Sequence, residues 1–207
     1  AVRAEVIINV PKLKTHSQML LTLAVKNLFG CVVGLRKPQW HLRAGVDRER
    51  FAALLVRICA TLKPPFNILD GVLAMEGPGP GKGGIPRHVG VVMASRDAFA
   101  LDAAVCRMLG MSPEDLFTHA VAMKAGLVDG APEIDGELPR VQGFRFPEMA
   151  STMFGPKALH GLMRRHLIQR PVIDDDACKA CRDCARYCPA EAITFEGREA
   201  SFDYDRC

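Results

Sequence analysis

The stretch "CKACRDCARYCP" places Cys178, Cys181, Cys184 and Cys188 at C-x2-C-x2-C-x3-C, with Pro189 immediately after. No other feature narrows the possible folds as far. Thiolates spaced this tightly wrap one iron–sulfur cube, while the amides between them donate hydrogen bonds to its sulfides. Structural zinc sites use two separated cysteine pairs or add histidines, not three cysteines in one tight turn with a fourth before proline. The spacing therefore predicts ligands of a [4Fe–4S] cluster.

The same run is that of bacterial ferredoxins, in whose two-cluster forms the fourth cysteine serves the other cluster. The sequence closes on "YDRC", and Cys207 stands nineteen positions past Cys188. This resembles the connection between the halves of a ferredoxin-like module, with Cys207 as the first ligand of a second motif. On that reading Cys178, Cys181 and Cys184 await a fourth ligand, and Cys188 and Cys207 await two more. The expectation is a piece of a longer protein that holds two [4Fe–4S] clusters. In a chain that ended here, Cys178 to Cys188 would form one strained site, or Cys207 would stand in as the fourth ligand.

The remaining three of the eight cysteines, Cys31, Cys59 and Cys106, lie singly in apolar stretches and read as buried thiols. Five crowded into one end resemble a metal site more than a disulfide scaffold, which favours a reducing, cytoplasmic setting. Residues 171–207 carry nine acidic and five basic side chains, whereas residues 1–170 carry 22 basic and 14 acidic. A basic body beside an acidic tail suits the handling of a small anionic ligand, and the surplus is too diffuse for nucleic acid. No membrane span is expected: the longest apolar run, "MLLTLAVKNLFGCVVGL", carries Lys26 and Asn27 midway.

Along the chain, "EVIINV" (5–10) predicts a buried strand closed by Pro11, and residues 18–29 predict a buried helix. From Asp47, Phe51, Leu54, Leu55, Ile58 and Leu62 recur at helical spacing. "FNILDG" (66–71) and "VGVVMAS" (89–95) predict two further strands, separated by a glycine- and proline-rich loop over 76–86. Asp97 caps a helix whose inward stripe is Leu101, Ala104, Val105 and Met108, and Ser112-Pro113-Glu114-Asp115 starts another. Residues 130–150 are loop-rich with weak strand signals. Strands alternating with helices predict an α/β domain with a parallel or mixed sheet and flanking helices, followed by a small ferredoxin-like α+β module. The boundaries are 1–150 for the α/β domain, 151–171 for a linker or helix, and 172–207 for the iron–sulfur module.

Two constellations carry the body's chemistry. In "PKLKTH" an extended chain puts Lys12, Lys14 and His16 on one side and Leu13 and Thr15 on the other. Gln18, Thr22 and Lys26 form the one polar stripe of the expected helix, and a buried Lys26 needs a partner: a bound anion, or a carboxylate such as Asp70 or Asp102. In "DGVLAMEGPGPGKGG" Asp70 sits where a strand of an open α/β sheet ends, the edge at which such folds bind ligands, and Glu76 opens the glycine loop. Residues 79–84 match G-x-G-x-x-G, but a strand follows instead of a helix. The P-loop pattern also fails, with Glu76 in place of its first glycine and Gly83 after Lys82. Asp102 is a site acid or a surface residue, and His41 and His88 are weaker candidates.

Together "INVPKLKTHSQMLLTLAVKNLFGCVVG", "ILDGVLAMEGPGP" and "MASRDAFALDAAVCRMLG" resemble the domain-of-unknown-function family 362, over about residues 4–125. Its members often carry a ferredoxin-type module. The family has no assigned reaction, so the resemblance implies architecture and singles out Lys12, Lys14, His16, Lys26, Asn27, His41, Asp70, Glu76 and Asp102 without naming a substrate. The expected function is an iron–sulfur protein that transfers electrons to or from an anion held by Lys12, Lys14, His16, Lys26 and Asn27. Asp70 or Glu76 would serve as acid, base or metal ligand, and a separate redox protein would be the partner. The alternatives are a non-redox binding module braced by its cluster, and a phosphate- or metal-dependent transferase.

Overall fold

The computed structural model describes residues 3–44, 47–128, 130–149, 170–204 and 206. The chain divides into two compact units, Ala1–Val32 with Val46–Met149, and Val33–Gly45 with Ala150–Cys207.

The first unit is a mixed sheet with helices. Its central strand, β4 (Phe66–Glu76), runs parallel to β1 (Ile8–Asn9) and β2 (Lys12–His16) on one side and antiparallel to β5 (Ile85–Ser95) on the other. β3 (Leu20–Thr22) adds antiparallel to β2. Helices α1 (Ala24–Asn27), α3 (Arg48–Leu62), α4 (Ala98–Met108) and α5 (Phe117–Lys124) belong to this unit, and α2 (Arg36–Ala44) to the second. The core joins Leu13, Leu21 and Leu69 from the strands to Phe29, Phe51, Leu55, Val105 and Met108. Phe29 meets Phe51 edge to face, 5.3 Å between ring centres.

Local signals explain the helices that the sequence announces. Asp47 accepts from the Arg50 amide at the start of α3, and Asp97 from the Phe99 amide at the start of α4. Leu101, Ala104, Val105 and Met108 are all buried, and Gly110 ends the segment at φ +77°. Ser112 caps the short 3-10 turn Pro113–Asp115 that leads into α5.

Several expectations need correction. The run 18–29 is not one helix: the chain turns at Ser17–Met19, forms β3, and only then enters α1 and a 3-10 turn, Leu28–Cys31. The His16 Nδ1 accepts from the Gln18 and Met19 amides and so folds the strand back on itself. Gln18, Thr22 and Lys26 therefore share no helical stripe. In α3 the buried stripe is Phe51, Ala52, Leu55, Val56 and Cys59, rotated from the expected one. The first strand is short, and Val6, Ile8 and Val10 are exposed while Asn9 between them is buried. Cys59 and Cys106 are buried, but Cys31, at the end of its 3-10 turn, is exposed. Among the described residues of 130–150 there is no strand.

The second unit contains α2, a short helix α6 (Asp183–Tyr187), and the antiparallel hairpin β6 (Ile193–Glu196) with β7 (Glu199–Phe202). Most of the expected linker 151–171, along with Cys207, lies outside the described residues. Among the described residues no helix is long and apolar enough to cross a membrane.

Candidate functional site

In the second unit the cysteine run forms a curled loop leading into α6. Ala180 and Arg182 take left-handed conformations, φ 53° and 64°, which bend the backbone back between successive cysteines. The amide of Ala180 donates to Cys178 Sγ and that of Ala192 to Cys188 Sγ, each at 3.4 Å. Arg182 fastens the loop to the hairpin, donating to the Gly197 carbonyl with its guanidinium 5.9 Å from the Phe195 ring centre. Cys178, Cys181, Cys184 and Cys188 are free thiols, Cys181 and Cys184 exposed and the other two half-buried.

This donor set fits a [4Fe–4S] group: reduced thiols at the required spacing, with amides already turned onto sulfur. Such a group, when bound, supplies reversible one-electron chemistry. Among the described residues no three His, Cys, Asp or Glu side chains converge as a site for a single ion.

In the first unit β2 places Lys12, Lys14 and His16 on its outward side and buries Leu13 and Thr15. Lys12 Nζ meets Asp70 Oδ2 at 2.6 Å, from opposite positions in the parallel β2/β4 pair. The hydrogen bond from Lys12, then that from the Val72 amide, holds the Asp70 carboxyl below its usual range. Thr22 Oγ1 donates to the Lys12 carbonyl at 3.2 Å.

Asp70 does not end its strand. β4 continues to Glu76, because Gly71 sits where a Cβ would lie 2.6 Å from Val91 Cγ1, so the pair with β5 is kept through a register shift. Asp70 and Glu76 lie six positions apart along β4, on the order of 20 Å, and the two carboxylates do not share a site. Glu76 is buried, not a loop-opening acid. It accepts from Arg87 Nη1 at 2.8 Å, Arg145 Nε at 2.7 Å and the Arg145 amide at 3.1 Å. Burial alone would raise its pKa, but these bonds outweigh it and hold it below the usual range. Glu76 is thus a fixed anion that clamps residues 142–145 to the sheet.

The glycine loop likewise approaches its own chain. A Cβ on Gly79 would fall 2.5 Å from Thr15 Oγ1 and 2.7 Å from the Thr15 carbonyl, and the Gly79 carbonyl accepts from the Ser17 amide. The Lys26 ammonium lies over Phe29 and Phe51, 5.8 and 5.6 Å from their ring centres. Asp102, neither a surface residue nor an open-site acid, is fully enclosed and accepts from the Ala24 and Val25 amides. His41 lies on α2 in the second unit and His88 on β5.

Sequence reasoning missed an asparagine network. Asn27 Nδ2 donates to Asn9 Oδ1, Asn9 Nδ2 to Asn67 Oδ1 and to the Ala24 carbonyl, and Asn67 Nδ2 to the Ser95 carbonyl. Its signal was present: "IIN" and "FN" each place a lone amide in an apolar strand, and the parallel register sets Asn9 opposite Asn67.

A family model described as "Domain of unknown function (DUF362)" matches residues 1–107, and a 4Fe-4S binding domain matches residues 171–194. The chain belongs to the DUF362 family. The family match covers β1 to α4, hence the basic row, Asp70, Glu76 and Asp102, and the second match covers the cysteine run through Cys188. A thylakoid-associated protein of Synechocystis sp. is 41% identical over 176 residues, covering 82% of this chain and 54% of its own length. The chain thus spans about half of that curated relative. No solved structure matches the chain.

Proposed function

We propose that this iron–sulfur protein transfers electrons, and that the acceptor or donor is an anion bound on the outward side of β2. The observation that carries the reading is the cysteine run of residues 178–188, whose four free thiols, two of them accepting from the Ala180 and Ala192 amides, suit a reversible [4Fe–4S] centre. Lys12, Lys14 and His16 would supply the positive field for the anion, Asp70 would set the position of the Lys12 ammonium, and Lys26 with Asn27 would lie at the neighbouring α1. Glu76, saturated by two arginines, has no part in proton transfer on this reading.

Two clusters in the intact protein, with Cys188 and Cys207 serving the second, remain part of the proposal, as does a reducing, cytoplasmic setting. The printed name of the Synechocystis relative adds a thylakoid surface as a location to examine. The test is anaerobic reconstitution of the longest natural form, with iron and sulfide counted and EPR recorded on reduction. About eight irons per chain and a reversible signal are expected. A colourless protein stoichiometric in zinc would remove the electron-transfer reading. Lys14→Ala and Asp70→Asn should each lose ligand-induced thermal stabilisation by small phosphates and carboxylates, and stabilisation unchanged in both would remove the anion site.

A further inference from the structure

Helix α2, "RKPQWHLRA", is the most one-sided charged element of the second unit: it holds Arg36, Lys37, His41 and Arg43 and no carboxylate. At helical spacing Arg36, Gln39 and Arg43 share a face. Gln39, Leu42 and Arg43 line a groove of about 300 Å³, together with Pro189, Ala190, Glu191 and Arg206. Pro189 follows Cys188 directly, so the groove opens beside a cysteine of the cluster run. Glu191 is the one carboxylate among these lining residues and faces Arg206 at 3.7 Å, which leaves Arg43 as surplus positive charge. Leu42 is 47% exposed and Trp40 36%, and the Arg43 guanidinium lies 5.3 Å from the Trp40 ring centre. Acidic charge gathers at Asp174–Asp176, just before Cys178, whereas at the groove after Cys188 Arg43 and Arg206 outnumber Glu191.

Arginine and tryptophan around an exposed aliphatic contact are the side chains that dominate protein docking surfaces. A positive field beside a redox centre steers an acidic protein toward it. We propose that α2 and the loop after Cys188 form the docking surface for an acidic electron-carrier protein. With a cluster held by the cysteine run, the exchange would be one electron from the reduced carrier to the oxidised cluster, with no bond made or broken. The proposal rests on the electron-transfer reading above and adds the partner's chemistry and place.

The test uses the full chain with its cluster reconstituted anaerobically, mixed by stopped flow with a reduced flavodoxin, an acidic carrier, and separately with reduced methyl viologen, a small cation. The flavodoxin rate is expected to fall about tenfold from low to high salt, and by a similar factor in the double variant Arg36→Glu/Arg43→Glu. The viologen rate and the iron content should not fall in that variant. A flavodoxin rate indifferent to salt and to both substitutions overturns the proposal. So does a variant that loses binding to phosphatidylglycerol vesicles while its flavodoxin rate is unchanged, since the helix would then serve a lipid surface. A cluster that accepts no electron even from viologen brings down the electron-transfer reading itself, a failure distinct from an unsteered carrier.

Discussion

Asp102, on α4, accepts from the Ala24 amide at 2.7 Å and from the Val25 amide at 3.2 Å, so a buried carboxylate holds the start of α1. Burial pushes its pKa up to about 7; the two amide bonds act against the rise, and Asp97 adds to it. A carboxyl whose folded pKa lies above its unfolded 3.8 binds more protons folded than unfolded. Its stabilising contribution is full below pH 3.8 and is lost as pH rises through about 7. Thermal midpoints should therefore fall from pH 5 to pH 8, after the other carboxylates have titrated. Asp102→Asn should flatten that slope. At pH 5 it should cost about 1–3 kcal/mol, because its NH2 faces an amide that needs an acceptor.

The asparagine network predicts a second core sensitivity. Asn67 is fully buried and serves both Asn9 and the Ser95 carbonyl, so it ties β1 and β5 to β4. Asn67→Ala leaves an Asn9 donor and a strand carbonyl short of partners, at about 1–3 kcal/mol. Urea unfolding followed by tryptophan-independent far-UV dichroism would measure it, and a loss within experimental scatter would show that the network is dispensable.

The physical origin of each signal decides what was legible. Helices α3 and α4 were readable because Asp47 and Asp97 cap them and their apolar periods are local. The cysteine run was readable because its ligands lie within eleven residues of sequence. The segment 18–29 was not, since "LLTLAV" is apolar apart from Thr22 and cannot separate a strand from a buried helix without knowing that β2 pairs with it. The expected strand stops at residue 71, whereas the missing Cβ of Gly71 makes room for Val91 and the strand runs on to Glu76. Glu76 looked like a free loop acid because its arginine partners come from 11 and 69 residues away.

Gly79 tests whether the glycine loop is shaped for a ligand or for its own chain. Gly79→Ala forces a Cβ against the Thr15 hydroxyl and carbonyl at 2.5 and 2.7 Å. Backbone on one side and a buried side chain on the other leave little room to yield. A loss of about 1–3 kcal/mol is expected from overpacking, read as a lower denaturation midpoint with or without added anions. A variant of unchanged stability that loses anion binding would instead assign the loop to a ligand.

The arginine clamp on Glu76 gives the prediction with the clearest pH signature. Its carboxylate is almost entirely enclosed, while Arg87 is about one-quarter exposed and Arg145 mostly exposed. Glu76→Gln keeps the shape but leaves two guanidinium groups without their counter-charge. Because both arginines retain some water, the cost should fall near the low end for a broken buried pair, about 2–3 kcal/mol. The sign of the pH effect is opposite to that of Asp102. The folded pKa of Glu76 lies below its unfolded 4.5, so its contribution is present above pH 4.5 and is lost as pH falls through the folded value. The wild type should thus lose stability in acid along a limb that Glu76→Gln lacks, and the two proteins should converge at low pH. Parallel profiles, separated by the same interval from pH 7 down to pH 3, would mean that the carboxylate acts through packing alone and that the charge of the clamp contributes nothing.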